Sequence, residues 1–229
     1  MAAALISVAS RLSTEYSTVR RSFALPSESE TQKDVMALLS WDLDKFCSAS
    51  PRLLEEGHWG PGFAMVRLIS ERAEYLLAAH EDAAFAAEFW TRSSAITDAP
   101  EKAPRNRSGE ARTFVRRVAE RRRDSDVSDH LLKTLIEKHD WESVAVHPSA
   151  VVAALASDAE TDPNCHAAST VAASVAIAVW FSLAALLLIV EERGGQSVAE
   201  VDTAREVLAG AARVLRESGA LDPDNPHTK

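Results

Sequence analysis

Cysteine, glycine and proline are all scarce in this chain of 229 residues, which contains 2, 8 and 9 of them. Two cysteines, Cys47 and Cys165, are too few for a disulfide scaffold, so we expect a reducing compartment and a cytoplasmic protein. Apolar residues make up 46% of the chain, which excludes a disordered protein and, with so few turn formers, favours helices. The net charge of −9 argues against a general nucleic-acid coat.

Charged side chains are absent from Pro163 to Val190. A run of this length is enough to span a bilayer, but it is also typical of a helix buried on all sides. Neither end carries a Lys/Arg cluster or a Trp/Tyr belt, and the first half consists of small residues that suit close helix packing. We therefore predict a buried central helix over 163–190, with a membrane span as the alternative. The Gly194-Gly195 turn predicts an antiparallel hairpin with a helix over 197–218.

The N-terminal stretch 1–26 has two interpretations. It is rich in Ser, Thr, Ala and Arg with Glu15 as its only acid, as in an organellar targeting segment. Its apolar residues also form one helical stripe, which favours a first, amphipathic bundle helix. The stripe consists of Leu5, Val8, Ala9, Leu12, Tyr16, Val19 and Phe23.

Capping and turn residues divide the middle of the chain. Ser27 with Glu30 forms a capping box that predicts a helix to about Ser48, followed by a separate helical turn at Ser50-Pro51. Gly57 to Gly62 predicts a loop, and Phe63 to Thr91 predicts one long helix. The apolar side of the first of these helices is expected to hold Val35, Leu38, Leu39, Phe46 and Cys47.

On the long helix, one side is apolar and has His80 in its middle, where a histidine is usually a hydrogen-bonded core residue. The apolar side is expected to hold Met65, Val66, Ile69, Ala73, Leu76, Leu77, Ala84 and Ala87, and the opposite side Arg67, Glu74, Glu81 and Glu88. Residues 97–109 are expected to form an exposed loop and residues 222–229 a flexible tail. No strand pattern of period two occurs, so we predict an all-α multi-helix bundle with a single domain over 27–221.

An arginine-rich helix is expected over 108–123, with a narrow apolar stripe on one side. It holds Arg112, Arg116, Arg117, Arg121, Arg122 and Arg123. Such a face is usually solvated or salt-bridged to an acidic body. The alternative is an RNA-backbone or anion patch, because planar guanidinium groups suit phosphate.

Standard catalytic and metal motifs are absent: the sequence lacks Gly-x-Ser-x-Gly, His-Glu-x-x-His, Glu-x-x-His, a Walker sequence and Cys-x-x-Cys. Cys165 and His166 are adjacent and point apart on a helix, so we predict no metal site and no cofactor. One carboxylate pattern, Glu71-x-x-Glu74 with Glu137-x-x-Asp140, resembles that of Mg-dependent helical nucleotide pyrophosphohydrolases.

Two stretches resemble HEPN-like helical proteins, in particular a poorly characterised bacterial branch. One runs from Met65 to Asp82 with Arg67 and Glu71, and continues through 87–93; the other is Ser143-Val-Ala-Val-His147-Pro-Ser149. The resemblance implies an all-helical fold. Many HEPN proteins are metal-independent ribonucleases with an Arg and a His a few residues apart, and Arg123 and His130 fit that spacing.

Three hypotheses about function follow. The first is a soluble HEPN-like protein without catalysis that acts by protein-partner binding or dimerisation, with Arg67, Glu71, Arg112, Arg116 and Arg117 as candidate binding residues. The second is a ribonuclease that uses Arg123 and His130, with His147 as a further candidate. The third is an Mg-dependent pyrophosphohydrolase or a membrane-anchored helical protein.

Overall fold

The computed structural model describes residues 1–22, 25, 27–98, 113, 150–194 and 199–220. Within these residues there are seven helices and no strand, which confirms the all-α prediction. The helices are α1 (Ala2–Ser22), α2 (Glu30–Glu55), α3 (Trp59–Glu81), α4 (Ala83–Asp98), α5 (Ala150–Thr161), α6 (His166–Gly194) and α7 (Ala199–Glu217).

The uncharged helix α6 is the centre of the bundle. It packs against α1, α2, α3, α5 and α7, and every residue from Val175 to Ile189 is buried. Among the described residues, α6 is the one helix long and apolar enough to cross a membrane, and 78% of its most apolar window lies inside the protein. The predicted central core helix is therefore present.

The start of α6 differs from the prediction, because the helix begins at His166 and not at Pro163. Asp162 accepts a hydrogen bond from the backbone N–H of Asn164, which holds residues 162–164 in a turn. Cys165 then caps the helix: its Sγ accepts from the N–H of Ala168 at 3.4 Å. The side-chain turn and the cap move the helix start three residues downstream.

Helices α6 and α7 form the predicted antiparallel hairpin. The indole Nε1 of Trp180 donates to the carbonyl of Leu208 at 3.1 Å, and Arg205 donates to Glu191 at 2.9 Å. The residue further along α6 contacts the residue nearer the start of α7, so the two helices are antiparallel. The second helix is slightly shorter than the predicted 197–218.

Helix α1 belongs to the same bundle and packs against α2, α6 and α7. Its predicted apolar stripe is buried, apart from Val8, which is half-buried, and Phe23, which lies outside the described residues. Hydrogen bonds from Ser10 to Glu55 and from Ser13 to Ser48 show that α1 and α2 are antiparallel.

Helix α2 begins and ends later than predicted. The hydroxyl of Ser29, and not Ser27, accepts from the N–H of Gln32, and the Gln32 side chain accepts in turn from the N–H of Glu28. The cap is therefore Ser29, two residues after the predicted Ser27, and the Gln32 side chain holds the backbone just before it. Pro51 lies inside α2, which continues to Glu55, so the predicted separate turn at Ser50-Pro51 does not exist.

Helix α3 begins at Trp59, so most of the predicted 57–62 loop is its first turn. Gly57, at φ +84°, turns the chain between α2 and α3, a conformation that favours glycine. Gly62 allows close approach, because a Cβ there would lie 2.6 Å from Cδ2 of Leu54.

The predicted single helix over 63–91 is two helices, divided at Asp82. The extended backbone of Asp82 ends α3, and its carboxylate accepts from the N–H groups of Ala84 and Phe85 to start α4. Ala84 and Ala87 are therefore exposed on α4 and do not extend the apolar side of α3. Glu74, placed on the polar side by sequence, is buried.

Other expectations fall at the edge of the described residues or beyond them. Helix α4 continues to Asp98, so the predicted 97–109 loop begins no earlier than residue 99, and 99–109 lie outside the description. The tail 222–229 also lies outside it.

Candidate functional site

Of the site residues predicted from the sequence, Arg67 and Glu71 are described. They lie one turn apart on α3, where Arg67 Nε donates to Glu71 Oε1 at 2.7 Å, as their spacing predicts. The remaining candidates lie outside the described residues. They are Arg112, Arg116, Arg117, Arg123, His130 and His147, together with Glu137 and Asp140 of the carboxylate pattern.

The inner side of α2 carries a buried polar cluster that joins it to α1. Arg20 Nε donates to Asp44 Oδ2 at 3.0 Å, and Ser17 donates to the other carboxylate oxygen. Tyr16 donates to the backbone carbonyl of Ser40 at 3.3 Å. Each polar group thus has a partner from the neighbouring helix, and the cluster sets the register of α1 on α2.

Two ionisable groups beside this cluster are held in their neutral forms. Burial raises the pKa of the Cys47 thiol to about 12; a hydrogen bond with Ser182 acts against the rise and the nearby Asp44 adds to it. Burial also raises the pKa of Tyr16 well above its ordinary value, with Cys47 and Asp44 adding to the effect. A protonated, buried thiol is a poor nucleophile and a poor metal ligand, so the cluster is suited to packing and not to catalysis.

A second buried contact fixes α2 on α3. The side-chain amide of Gln32 donates to the backbone carbonyls of Ala79 at 2.8 Å and His80 at 3.1 Å. These carbonyls lie in the last turn of α3, where helix carbonyls lack intrahelical partners. His80 is itself buried, as expected of a core histidine.

The outer side of α2 is different, because it presents apolar side chains to solvent. Leu38 is 43% exposed and Trp41 is 49% exposed, and they lie one turn apart. The ammonium of Lys45, one turn further on, lies 5.5 Å from the centroid of the Trp41 ring, a distance typical of a cation–π contact. Asp34 is exposed one turn before Leu38. We call Asp34, Leu38, Trp41 and Lys45 the outer stripe.

Sequence reasoning placed Leu38 on the buried side of α2, and this was wrong. Val35 and Leu39 are buried, whereas Leu38 points away from the bundle. The missed signal is the spacing of 34, 38, 41 and 45, which alternates steps of four and three residues and follows one helix face.

Metal binding has no obvious location among the described helices. Within them, no three His, Cys, Asp or Glu side chains are grouped closely enough to hold an ion. Cys165 is half-buried and acts as a helix cap, while the neighbouring His166 side chain is exposed.

Comparison with known proteins gives no relative. No protein-family model, no curated protein and no solved structure matches the chain.

Proposed function

We propose that this chain is a non-catalytic, HEPN-like helical protein of the cytoplasm that acts by binding a protein through the outer stripe of α2. The observation that carries the proposal is the pair Leu38 and Trp41, which expose 43% and 49% of their surface on one helix face. Tryptophan is one of the residue types enriched among those that dominate binding energy at protein interfaces.

The rigidity of α2 supports this function. Its inner side is anchored to α1 by Asp44, to α3 by Gln32 and to α6 by Cys47. A surface that is already fixed before binding loses little conformational entropy when it binds. The contact between Lys45 and the Trp41 ring restrains the exposed side chain in the same way.

Three polar groups of the described bundle, Asp44, Arg67 and Cys47, favour an interaction role over catalysis. Asp44 is satisfied by Arg20 and Ser17, and Arg67 is satisfied by Glu71. The Cys47 thiol is protonated at neutral pH because burial raises its pKa to about 12. Asp44 joins two helices and Arg67 pairs within α3, whereas a catalytic role would require a group that is free to act on a substrate.

The HEPN-like part of the proposal rests on the first matching stretch. The resemblance implies an Arg-x-x-x-Glu helix that runs into an acidic turn and an aromatic helix. Arg67 and Glu71 lie on α3, Asp82 is the turn, and α4 carries Phe85 and Phe89. Both rings pack on Tyr75 of α3, with centroids 6.3 and 5.6 Å away.

Site-specific photo-crosslinking in the cells that naturally make the protein tests this function. A photoreactive amino acid replaces Ala37, which is exposed beside the stripe, and a control carries it at Ala209, which is exposed on α7. We expect a protein adduct from position 37 and none from 209. The additional substitution Leu38→Glu should abolish the adduct, because burying a charged carboxylate at the centre of an apolar contact costs free energy.

The captured protein is then identified by mass spectrometry and the binding is repeated with purified components. Equal adducts at positions 37 and 209, or an adduct that persists in the Leu38→Glu variant, would show that the outer stripe is not the binding surface.

A further inference from the structure

We propose that the occupant of the outer stripe is a second copy of this chain, with the two α2 helices packed antiparallel about a two-fold axis. The inference rests on the proposed function and names its partner. In the proposed contact, Leu38 of each copy packs on Trp41 of the other, and Asp34 of each copy faces Lys45 of the other.

The spacing of the stripe provides the first argument. Asp34, Leu38, Trp41 and Lys45 occupy successive core positions of a heptad pattern, and all four side chains are exposed. The buried face of α2 lies on the opposite side of the helix, where it holds Val35, Met36, Leu39, Leu43 and Cys47. One helix thus carries two separate contact faces, and the fold of the chain uses only the inner one within the described residues.

The order of the four residues provides the second argument, because it is self-complementary in one direction only. Along an antiparallel pair of helices, residue numbers rise in one copy while they fall in the other, so the numbers of facing residues have a constant sum. If Leu38 faces Trp41, Asp34 therefore faces Lys45. The two apolar contacts then lie in the centre, and an Asp34–Lys45 pair flanks them at each end. In a parallel pair, Asp34 would face Asp34 and Lys45 would face Lys45, which like-charge repulsion opposes.

The charges of the stripe are available for this contact. Within the described helices, neither Asp34 nor Lys45 forms an ion pair, and the Lys45 ammonium contacts the Trp41 ring. The contact surface is neutral, although the chain has a net charge of −9. Repulsion between two acidic chains is weakened at physiological salt, where the screening length is about 8 Å.

The size of the contact limits the expected affinity. From Asp34 to Lys45 the stripe covers about three helical turns, or roughly 16 Å. Two helix faces of this length bury less surface area than the ~1,600 Å² of a standard protein–protein interface. We therefore expect a weak dimer with a dissociation constant on the order of 10–100 µM.

Sedimentation equilibrium of the purified full chain with a charge-reversal cycle tests the proposal. The single variants Asp34→Lys and Lys45→Asp each place like charges opposite one another at both ends of the contact. Each should raise the dissociation constant about tenfold or more, and the double variant should return it to within about threefold of the wild-type value. Arg213→Asp on the exposed side of α7 makes the same net charge change as Lys45→Asp and should leave the constant unchanged.

Three outcomes overturn the proposal. One is a wild-type chain that stays monomeric at about 500 µM, well above the expected constant. Another is a double variant no tighter than either single variant, because the Asp34–Lys45 pairing would then be absent. The third is an equal loss with Arg213→Asp, which would indicate net charge as the cause.

The crosslinking experiment separates this proposal from the proposed function. The chain could be monomeric and be crosslinked at position 37 to a different protein, with the adduct lost in the Leu38→Glu variant. This result overturns the proposed dimer but supports the protein-binding function. A monomeric chain with no adduct overturns both. An adduct of twice the chain mass that follows the charge-reversal cycle supports both.

Discussion

Arg20 of α1 and Asp44 of α2 form an ion pair across 24 residues of sequence, with Nε and one terminal guanidinium nitrogen both 3.0 Å from the same carboxylate oxygen. Ser17 donates to the second oxygen. Asp44 therefore has partners on both oxygens and is buried, so this contact determines how α1 lies along the helix that carries the outer stripe.

Asp44→Ala should lower the free energy of unfolding by about 2–4 kcal/mol, because it leaves the Arg20 charge and the Ser17 hydroxyl without their acceptor. Urea denaturation measures the change. The matched control is Asp42→Ala, which removes a more exposed ion pair with Arg72 at 3.3 Å and should cost less than about 1 kcal/mol. Equal losses in the two variants would contradict the structural role of Asp44.

Gly62→Ala should destabilise the protein by about 1–3 kcal/mol, because overpacking forces neighbouring atoms to move. The added Cβ would lie 2.6 Å from Cδ2 of the buried Leu54 and 3.3 Å from the backbone carbonyl of Ser50. Gly210→Ala on α7 is the control. Its Cβ would meet nothing within 4 Å, so the better helix propensity of alanine should stabilise the chain by up to about 1 kcal/mol. Thermal denaturation of both variants checks the opposite signs.

The folded protein should become less stable as the pH rises above 9. Burial raises the pKa of the Cys47 thiol from its ordinary value of 9.0 to about 12. Above pH 9 the unfolded chain releases this proton while the folded chain retains it, so the unfolded state is favoured by up to about 1.4 kcal/mol per pH unit. The free energy of unfolding between pH 8 and 10 measures the slope, and Cys47→Ala should flatten it. A slope unchanged in that variant would mean that the thiol ionises alike in both states.

RNA should remain intact in the presence of the purified protein, because the proposed function involves no catalysis. Incubation with mixed RNA, compared between the wild type and His130→Ala, provides the test. Cleavage that the substitution removes would establish the ribonuclease hypothesis with Arg123 and His130 in its place.

The fold was largely predictable because its strongest signals are long. The uncharged run that forms α6 and the apolar stripe of α1 extend over several turns, and most of their described apolar residues are buried. Local signals failed where two of them compete within a few residues. Ser27 and Ser29 both precede a suitable capping partner, and the choice of Ser29 follows from Gln32, whose amide also bonds the end of α3.

The candidate site was less predictable, because exposure depends on tertiary contacts. Leu38 lies between Val35 and Leu39 in sequence and fits an apolar pattern, yet those two side chains are buried and Leu38 is not. The arrangement of α1, α3, α4 and α6 around α2 determines which side of the helix faces solvent. The same holds for Asp82, since its role as a cap became evident from the two hydrogen bonds that start α4.

Hydroxyl-radical footprinting of Trp41 tests most directly whether the outer stripe is a binding surface. At a concentration where the wild type associates, we expect the oxidation rate of Trp41 to fall well below that in the Leu38→Glu variant at the same concentration, because the ring becomes covered only in the wild type. The account would be contradicted if Trp41 were oxidised at equal rates in the wild type and in the Leu38→Glu variant at every protein concentration, whether or not the protein captured by crosslinking is added.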